Sequence, residues 1–132
     1  MDEKTNVMRI LDQKKAKYKP YAYETSVAAS GIEAADIIGV ERSRVFKTLV
    51  TYCFVVPVEN ELDLKKAAKA VGEKSIEMIK AKELLPLTGY VHGGCSPIGM
   101  KKFFRTTFHS TAAEYETIVF SAGKIGRHIE MN

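Results

Sequence analysis

The chain predicts an α/β or α+β domain built on a mixed β-sheet, and three observations carry that prediction. Segments with helical periodicity, each with its own cap or stop residue, alternate with runs of β-branched and aromatic residues. At 132 residues the chain is long enough to bury a core without metals or disulfide staples. No repeat, low-complexity tract or interdomain linker interrupts it, so residues 1–132 read as one domain.

The first helix is expected from about Asn6 to Lys17, capped by Thr5 or Asn6, with Val7, Met8 and Leu11 on its inner face. Tyr18 to Tyr23 alternates as a short strand, and Pro20 favours an edge or a strand end. Ser30-Gly31-Ile32-Glu33 matches a capping box, opening a helix that carries Ile32, Ala35 and Ile38 and stops at Gly39. After the polar turn Glu41 to Arg44 comes the strand Val45 to Val50. A second strand-like run, Tyr52 to Val58, follows Thr51 with no Gly, Asn, Asp or Ser between. A hairpin there lacks its usual turn chemistry, and one unbroken strand would be unusually long. An atypical connection, or a loop lost relative to related chains, is therefore expected. Asp63 to Val71 reads as a helix ended by Gly72, with Leu64, Ala67, Ala68 and Val71 inward and Lys65, Lys66 and Lys69 outward. Ile76 and Met78 suggest a short strand, and Ala81 to Leu85 a short helix stopped near Pro86. Leu87 to Gly99 is loop-like. Thr106 to Phe108, Thr117 to Ser121 and Arg127 to Met131 are further strands, the last two joined by Ala122 to Gly126.

Composition narrows the function classes. The formal charge is +4, and the isoelectric point near 9.0 fits an acidic partner such as nucleic acid, or a mildly basic protein without one. Cys53 and Cys95 are the only cysteines and form no CxxC pair, so neither a zinc site nor a disulfide framework is indicated. The N-terminus begins with charges and has no long apolar segment, which argues against a signal peptide or membrane span and makes the cytoplasm the expected compartment.

Lys47 is out of place. It shares one strand face with Val45 and Leu49, while Phe46, Thr48 and Val50 occupy the other. An ammonium on a strand with apolar groups on both faces must be paired, must snorkel to an opening, or must serve a ligand. Gly93-Gly94-Cys95-Ser96-Pro97-Ile98-Gly99 is the second strong feature. Such a loop can present a row of amide donors to a carbonyl, oxyanion or phosphate, or can be a tight turn with no ligand. It fits neither a Walker loop nor G-x-G-x-x-G. The three histidines, His92, His109 and His128, suit no common zinc motif. His92 is nearest the loop, though a structural or exposed role is favoured for it. Cys95 reads as a small filler rather than a nucleophile, because nothing nearby in sequence supplies a base. Tyr21 and Tyr23 share a face, as core packing or as a stacking wall. Lys101, Lys102 and Arg105 could steer a polyanion or form a solvated cluster.

Four ordered stretches together are similar to one family: Val45-Phe46-Lys47-Thr48-Leu49-Val50; Glu61-Leu62-Asp63-Leu64-Lys65-Lys66; Leu87-Thr88-Gly89-Tyr90 with Gly93 through Gly99; and Ser121-Ala122-Gly123-Lys124-Ile125-Gly126. They resemble the YbaK family, free-standing relatives of the editing domain inserted in bacterial prolyl-tRNA synthetases, over nearly the whole chain. The resemblance implies an α+β fold, a strongly curved mixed β-sheet with flanking helices, and no metal or organic cofactor. It also implies deacylation of mischarged aminoacyl-tRNA(Pro), Cys-tRNA(Pro) first, with Ala-tRNA(Pro) deacylation or a non-catalytic module binding aminoacyl-tRNA or a synthetase as alternatives. The implied partners are the tRNA(Pro) acceptor end and prolyl-tRNA synthetase.

By the same resemblance Lys47 matches the family's essential lysine, flanked by Phe46 and Thr48. Gly93 through Pro97 matches the Gly-x-x-x-Pro loop, so amides around Gly94, Cys95 and Ser96 would support a carbonyl oxygen. Ser121 and Gly123 match the turn on the pocket's other side, and Tyr23 a tyrosine at its entrance. Ser30 stands where some relatives carry an aromatic residue, the hairpin after Thr51 is shortened, and relatives often continue beyond the position of Asn132.

Overall fold

The computed structural model describes residues 4–23, 31–50, 53–91, 94–101 and 106–132, except for the side chain of Ala81. Helix α1 spans Asn6–Gln13, and its N-cap is Thr5, whose hydroxyl accepts from the Met8 amide at 3.2 Å. It stops short of the expected Lys17. Lys15 takes a left-handed φ of 58°, and the Ala16 amide turns back to the Leu11 carbonyl at 2.9 Å. Val7, Met8 and Leu11 have already supplied the buried face, so the lysine-rich stretch beyond gains nothing by remaining helical.

Among the described strands, β1 (Lys19–Ala22) pairs only with β6 (Arg127–Met131), the edge position that Pro20 tolerates. Helix α2 (Gly31–Ile38) starts hard against a strand end, since a Cβ on Gly31 would sit 2.4 Å from Val58 Cγ1. Ser30, the expected cap of that helix, lies outside the described residues. A 3-10 turn at Arg42–Arg44 leads into β2 (Phe46–Val50), which pairs antiparallel with β3 (Cys53–Pro57), Val50 opposite Cys53. Those strands are therefore a hairpin after all, with residues 51 and 52 between the last paired positions. Five strongly β-forming residues on each side set the register where turn chemistry does not.

Helix α3 (Leu64–Val71) follows the reading closely: Asp63 accepts from the Lys65 and Lys66 amides at 3.1 Å, and Gly72 ends it at φ 77°. Leu64, expected inward, is 40% exposed at the first helical position. No strand forms at Ile76 and Met78. The stretch is irregular, with Ile76 packed against Phe54, Ala67 and Val71 and Ile79 against the main core. Helix α4 (Ala81–Thr88) passes through Pro86 and ends only at Gly89, contrary to the expected stop. Thr88 secures that last turn: its hydroxyl donates to the Leu84 carbonyl at 2.8 Å and accepts from the Tyr90 amide at 3.0 Å. Strand β4 (Thr106–Phe108) runs parallel to β3. A 3-10 turn at Ser110–Glu114 precedes β5 (Ile118–Lys124), which outruns the expected end at Ser121 through a register shift between Ser121 and Lys124.

The expected mixed sheet takes the form of two three-stranded sheets, ordered β1-β6-β5 and β2-β3-β4. Among the described residues, one parallel bridge, Val45 to Val119, joins them. One side packs Phe46, Val50, Val55, Phe120 and Ile129 against Val7, Met8 and Leu11 of α1 and Leu84 of α4. On the other side α2 covers Val45, Val58 and Val119 through Ala35, and α3 covers Phe54 through Ala67 and Val71. Among the described residues, no helix is long and apolar enough to cross a membrane.

Candidate functional site

Strand pairing gathers the polar residues on one face. Because Val45 bridges Val119 in parallel, Lys47 and Ser121, each two residues further on, project from the same side. Ser121 stands opposite His128, and His128 opposite Tyr21. Tyr23, whose amide donates to the Gly126 carbonyl at 2.9 Å, stacks on His128 with ring centroids 5.8 Å apart and planes 21° from parallel.

Lys47 falls between the two helical covers: Val45 lies under α2, while Phe54, opposite Leu49, lies under α3. It is half-buried, and no described residue offers it a hydrogen bond or ion pair. Glu130 is the only carboxylate on the described strands, and it is already engaged. It accepts from the Thr117 hydroxyl at 2.6 Å, the Tyr21 hydroxyl at 2.7 Å and Arg44 Nη2 at 2.5 Å. The two hydroxyls, reinforced by the guanidinium, hold its carboxyl below the usual carboxylate range. Of the three fates open to a strand lysine, pairing is excluded within the described residues.

Around Lys47 the other polar groups are also underused. Ser121 Oγ accepts from the Gly123 amide at 3.1 Å, which leaves its proton for an acceptor elsewhere. His128 is 8% exposed, its Nδ1 has no partner, and burial lowers its pKa to about 4, so the imidazole is neutral at pH 7. Burial, and secondarily the charge of Glu33, push the Tyr23 hydroxyl up. Gly123 is required twice over. Its φ is 92°, and a Cβ there would come within 2.9 Å of the Tyr90 ring and 3.0 Å of Val7.

Phe46 and Thr48 project from the opposite face. Phe46 is 2% exposed within the main core, so its side chain positions Lys47 and does not line the Lys47 side. The Thr48 hydroxyl is buried without a partner.

The glycine-rich loop belongs to that same opposite layer. Gly94 abuts the β5–β6 turn: a Cβ would lie 3.1 Å from the Ile125 nitrogen and 3.2 Å from the Lys124 carbonyl carbon, so a larger residue would press the turn outward. Its amide is committed to the Val91 carbonyl at 3.0 Å and is not the free donor the sequence suggested. The Cys95 and Ser96 amides have no backbone acceptor among the described residues. Cys95 is 8% exposed, and burial pushes its thiol up to about 12, which removes it as a nucleophile and fits the filler role. Ser96, fully buried, accepts from the Ile98 amide at 3.3 Å. The far end of the loop is tied by the Tyr90 hydroxyl, which donates to the Ile98 carbonyl. Pro97 borders a separate groove of about 830 Å³, lined by Ile98, Phe108, Tyr115, Phe120 and Met131, which does not include Lys47. Gly93, His92, Lys102, Arg105 and Ser30 lie outside the described residues.

The structure thus unites Lys47, Ser121 and Tyr23, and sets Gly94 against the turn that follows Ser121. His128 is the residue sequence reasoning passed over. The alternation Arg127 to Met131 carries the signal, but placing His128 opposite Ser121 needs the register shift in β5. No group of three His, Cys, Asp or Glu side chains is close enough to hold a metal ion among the described residues.

EbsC of Enterococcus faecalis, named as a candidate Cys-tRNA(Pro)/Cys-tRNA(Cys) deacylase, is 47% identical over 137 residues, covering 98% of this chain and 84% of its own length. The crystal structure of the hypothetical protein APE2540 superposes with a TM-score of 0.86 at 20% identity, over 96% of this chain and 87% of that one. A candidate trans-editing enzyme for prolyl-tRNA synthetase gives 0.81 at 23% identity, over 99% and 88%. Both show the same fold. The family model for the aminoacyl-tRNA editing domain matches residues 25–132, and the chain belongs to that family.

Proposed function

We propose that this protein is a trans-editing hydrolase that deacylates mischarged aminoacyl-tRNA(Pro), with Cys-tRNA(Pro) the preferred substrate. The observation that carries the reading is Lys47: half-buried, without a partner among the described residues, and on one face with Ser121, His128 and Tyr23. An uncompensated cation in such a place is costly unless an anion arrives, and a tRNA 3′ end brings phosphate. The 47% identity to EbsC, whose name carries both Cys-tRNA(Pro) and Cys-tRNA(Cys), supports cysteine as the amino acid.

An aminoacyl ester is already activated, so orientation and charge stabilisation lower much of the barrier. Lys47 would hold the terminal nucleotide. The ester would lie beyond the Val45–Val119 bridge, with the Cys95 and Ser96 amides on one side and the Ser121 hydroxyl on the other. Water, or the thiol of the cysteine substrate itself, attacks the carbonyl carbon. The carbonyl oxygen gathers charge beside those donors, the C–O ester bond breaks, and the ribose hydroxyl leaves with a proton. A neutral His128 leaves Lys47 as the site's cation. Tyr23 would border the aminoacyl group, and Gly123 shapes the Ser121 turn. The whole chain acts as one editing unit in the cytoplasm, where Cys53 and Cys95 stay reduced, and a bound prolyl-tRNA synthetase supplies tRNA identity.

The test is a deacylation panel with Cys-, Ala- and Pro-tRNA(Pro). Faster loss of cysteine than of alanine or proline supports the assignment; no turnover of any of them defeats it.

A further inference from the structure

A second basic feature adjoins the site but contributes nothing to the chemistry just described. Lys4, Thr5, Asn6, Arg9, Gly123 and Lys124 line a cleft of about 390 Å³ on the far side of the Ser121 turn. Three of the six are cations and none is acidic. Lys4 is tied to Asp12, on the outer surface of α1. Arg9 is exposed, on the side of α1 away from Val7, Met8 and Leu11, and no described residue pairs with it. Gly123 joins the two features, because it belongs to this cleft and also donates its amide to Ser121.

We propose that this cleft seats backbone phosphates of the RNA strand that leads into the editing site. The inference rests on the deacylase reading and adds the route by which the 3′ strand arrives. Gly123 follows Ser121 by two residues, at most about 7 Å of chain, so a phosphate in the cleft belongs to a nucleotide close to the esterified ribose. The cleft reads charge and spacing, not bases: exposed Lys and Arg side chains meet phosphate oxygens. Lys47 would hold the terminal nucleotide while Arg9, Lys124 and Lys4 hold those before it.

The experiment compares the intact protein with Arg9→Gln/Lys124→Gln on two readouts. The first is fluorescence anisotropy with an uncharged RNA minihelix that carries the tRNA(Pro) acceptor end. Between 50 and 200 mM salt the double variant should lose about 1–2 from the slope of log affinity against log salt, and Arg9→Lys should keep the wild-type slope. The second is turnover. KM for Cys-tRNA(Pro) should rise about tenfold with kcat within twofold, while hydrolysis of 3′-cysteinyl-adenosine, which has no phosphate, stays unchanged. An unchanged slope and KM overturn the proposal. So does equal loss on the adenosine ester, or inorganic phosphate displacing the minihelix with undiminished effect from the double variant. If the intact protein hydrolyses neither ester, the deacylase reading fails, and the anisotropy slope still judges the cleft. Arg9→Gln alone serves if the double variant misfolds.

Discussion

At one end of the Lys47 face, Glu130 collects the Thr117 and Tyr21 hydroxyls and the Arg44 guanidinium; at the other, Lys47 and His128 Nδ1 have no partner and Ser121 holds a proton with no acceptor among the described residues. Arg44 and Lys47 stand only three residues apart in one chain segment, so local sequence alone does not distinguish them. What separates them is which strand lies alongside. Arg44 reaches the β6 carboxylate, whereas Lys47 lies two residues beyond the Val45–Val119 bridge and has no partner among the described residues. A satisfied network stabilises the fold, and an unsatisfied one is held ready for a ligand.

Exchanging charges at the two ends tests that difference most severely. Lys47→Met should lower kcat/KM for Cys-tRNA(Pro) by about 10²-fold, the scale of losing a contact that positions the substrate, with no loss of denaturation midpoint. Equal rates for the two proteins would break the comparison. Glu130→Gln should do the reverse: a loss of about 3 kcal/mol in urea unfolding, because Arg44 is left partly buried beside a neutral amide. Its deacylation rate below the unfolding transition should stay within a few-fold of wild type. A large activity loss with unchanged stability would assign Glu130 to the site instead.

His128 sharpens the comparison through pH. Its folded pKa of about 4 lies below the ordinary histidine value, so the unfolded chain binds the proton more readily and stability falls as pH drops from about 6.5 toward 4. The full span is about 3 kcal/mol, and His128→Asn should flatten the upper part of that slope, above the range where carboxylates titrate. A wild-type profile flat from pH 7 to 5 would show His128 protonating freely. The smallest effect is expected in the glycine loop. Cys95→Ala should cost about 1 kcal/mol of stability and less than threefold in kcat, as befits a buried thiol that contributes volume. A hundredfold loss of rate would return it to the chemistry.

Much of this was readable along the chain. Asp63 and Gly72 bracket α3 as expected, Pro20 sits on an edge strand, and Lys47 is conspicuous among its apolar neighbours. Errors cluster where a long-range contact overrides a local signal. Pro86 lies inside α4 because Thr88 and Gly89 complete the end of the helix beyond it. Ile76 anchors an irregular stretch because Phe54 and α3 offer it a pocket rather than a ladder. The β2–β3 hairpin forms because paired strands outweigh the absent turn residues.

By itself, then, the sequence determined the mixed α+β elements, the misplaced lysine and the glycines that permit close backbone approach, since capping, alternation and positive φ are properties of short segments. Only the tertiary structure decided which polar groups are paired. It sent Glu130 to Arg44, left Lys47 with Ser121 and His128, and turned Phe46 and the buried Cys95 into the other layer. Strand register determines those neighbours, and register depends on packing between residues as far apart as Tyr21 and Glu130, 109 positions along the chain.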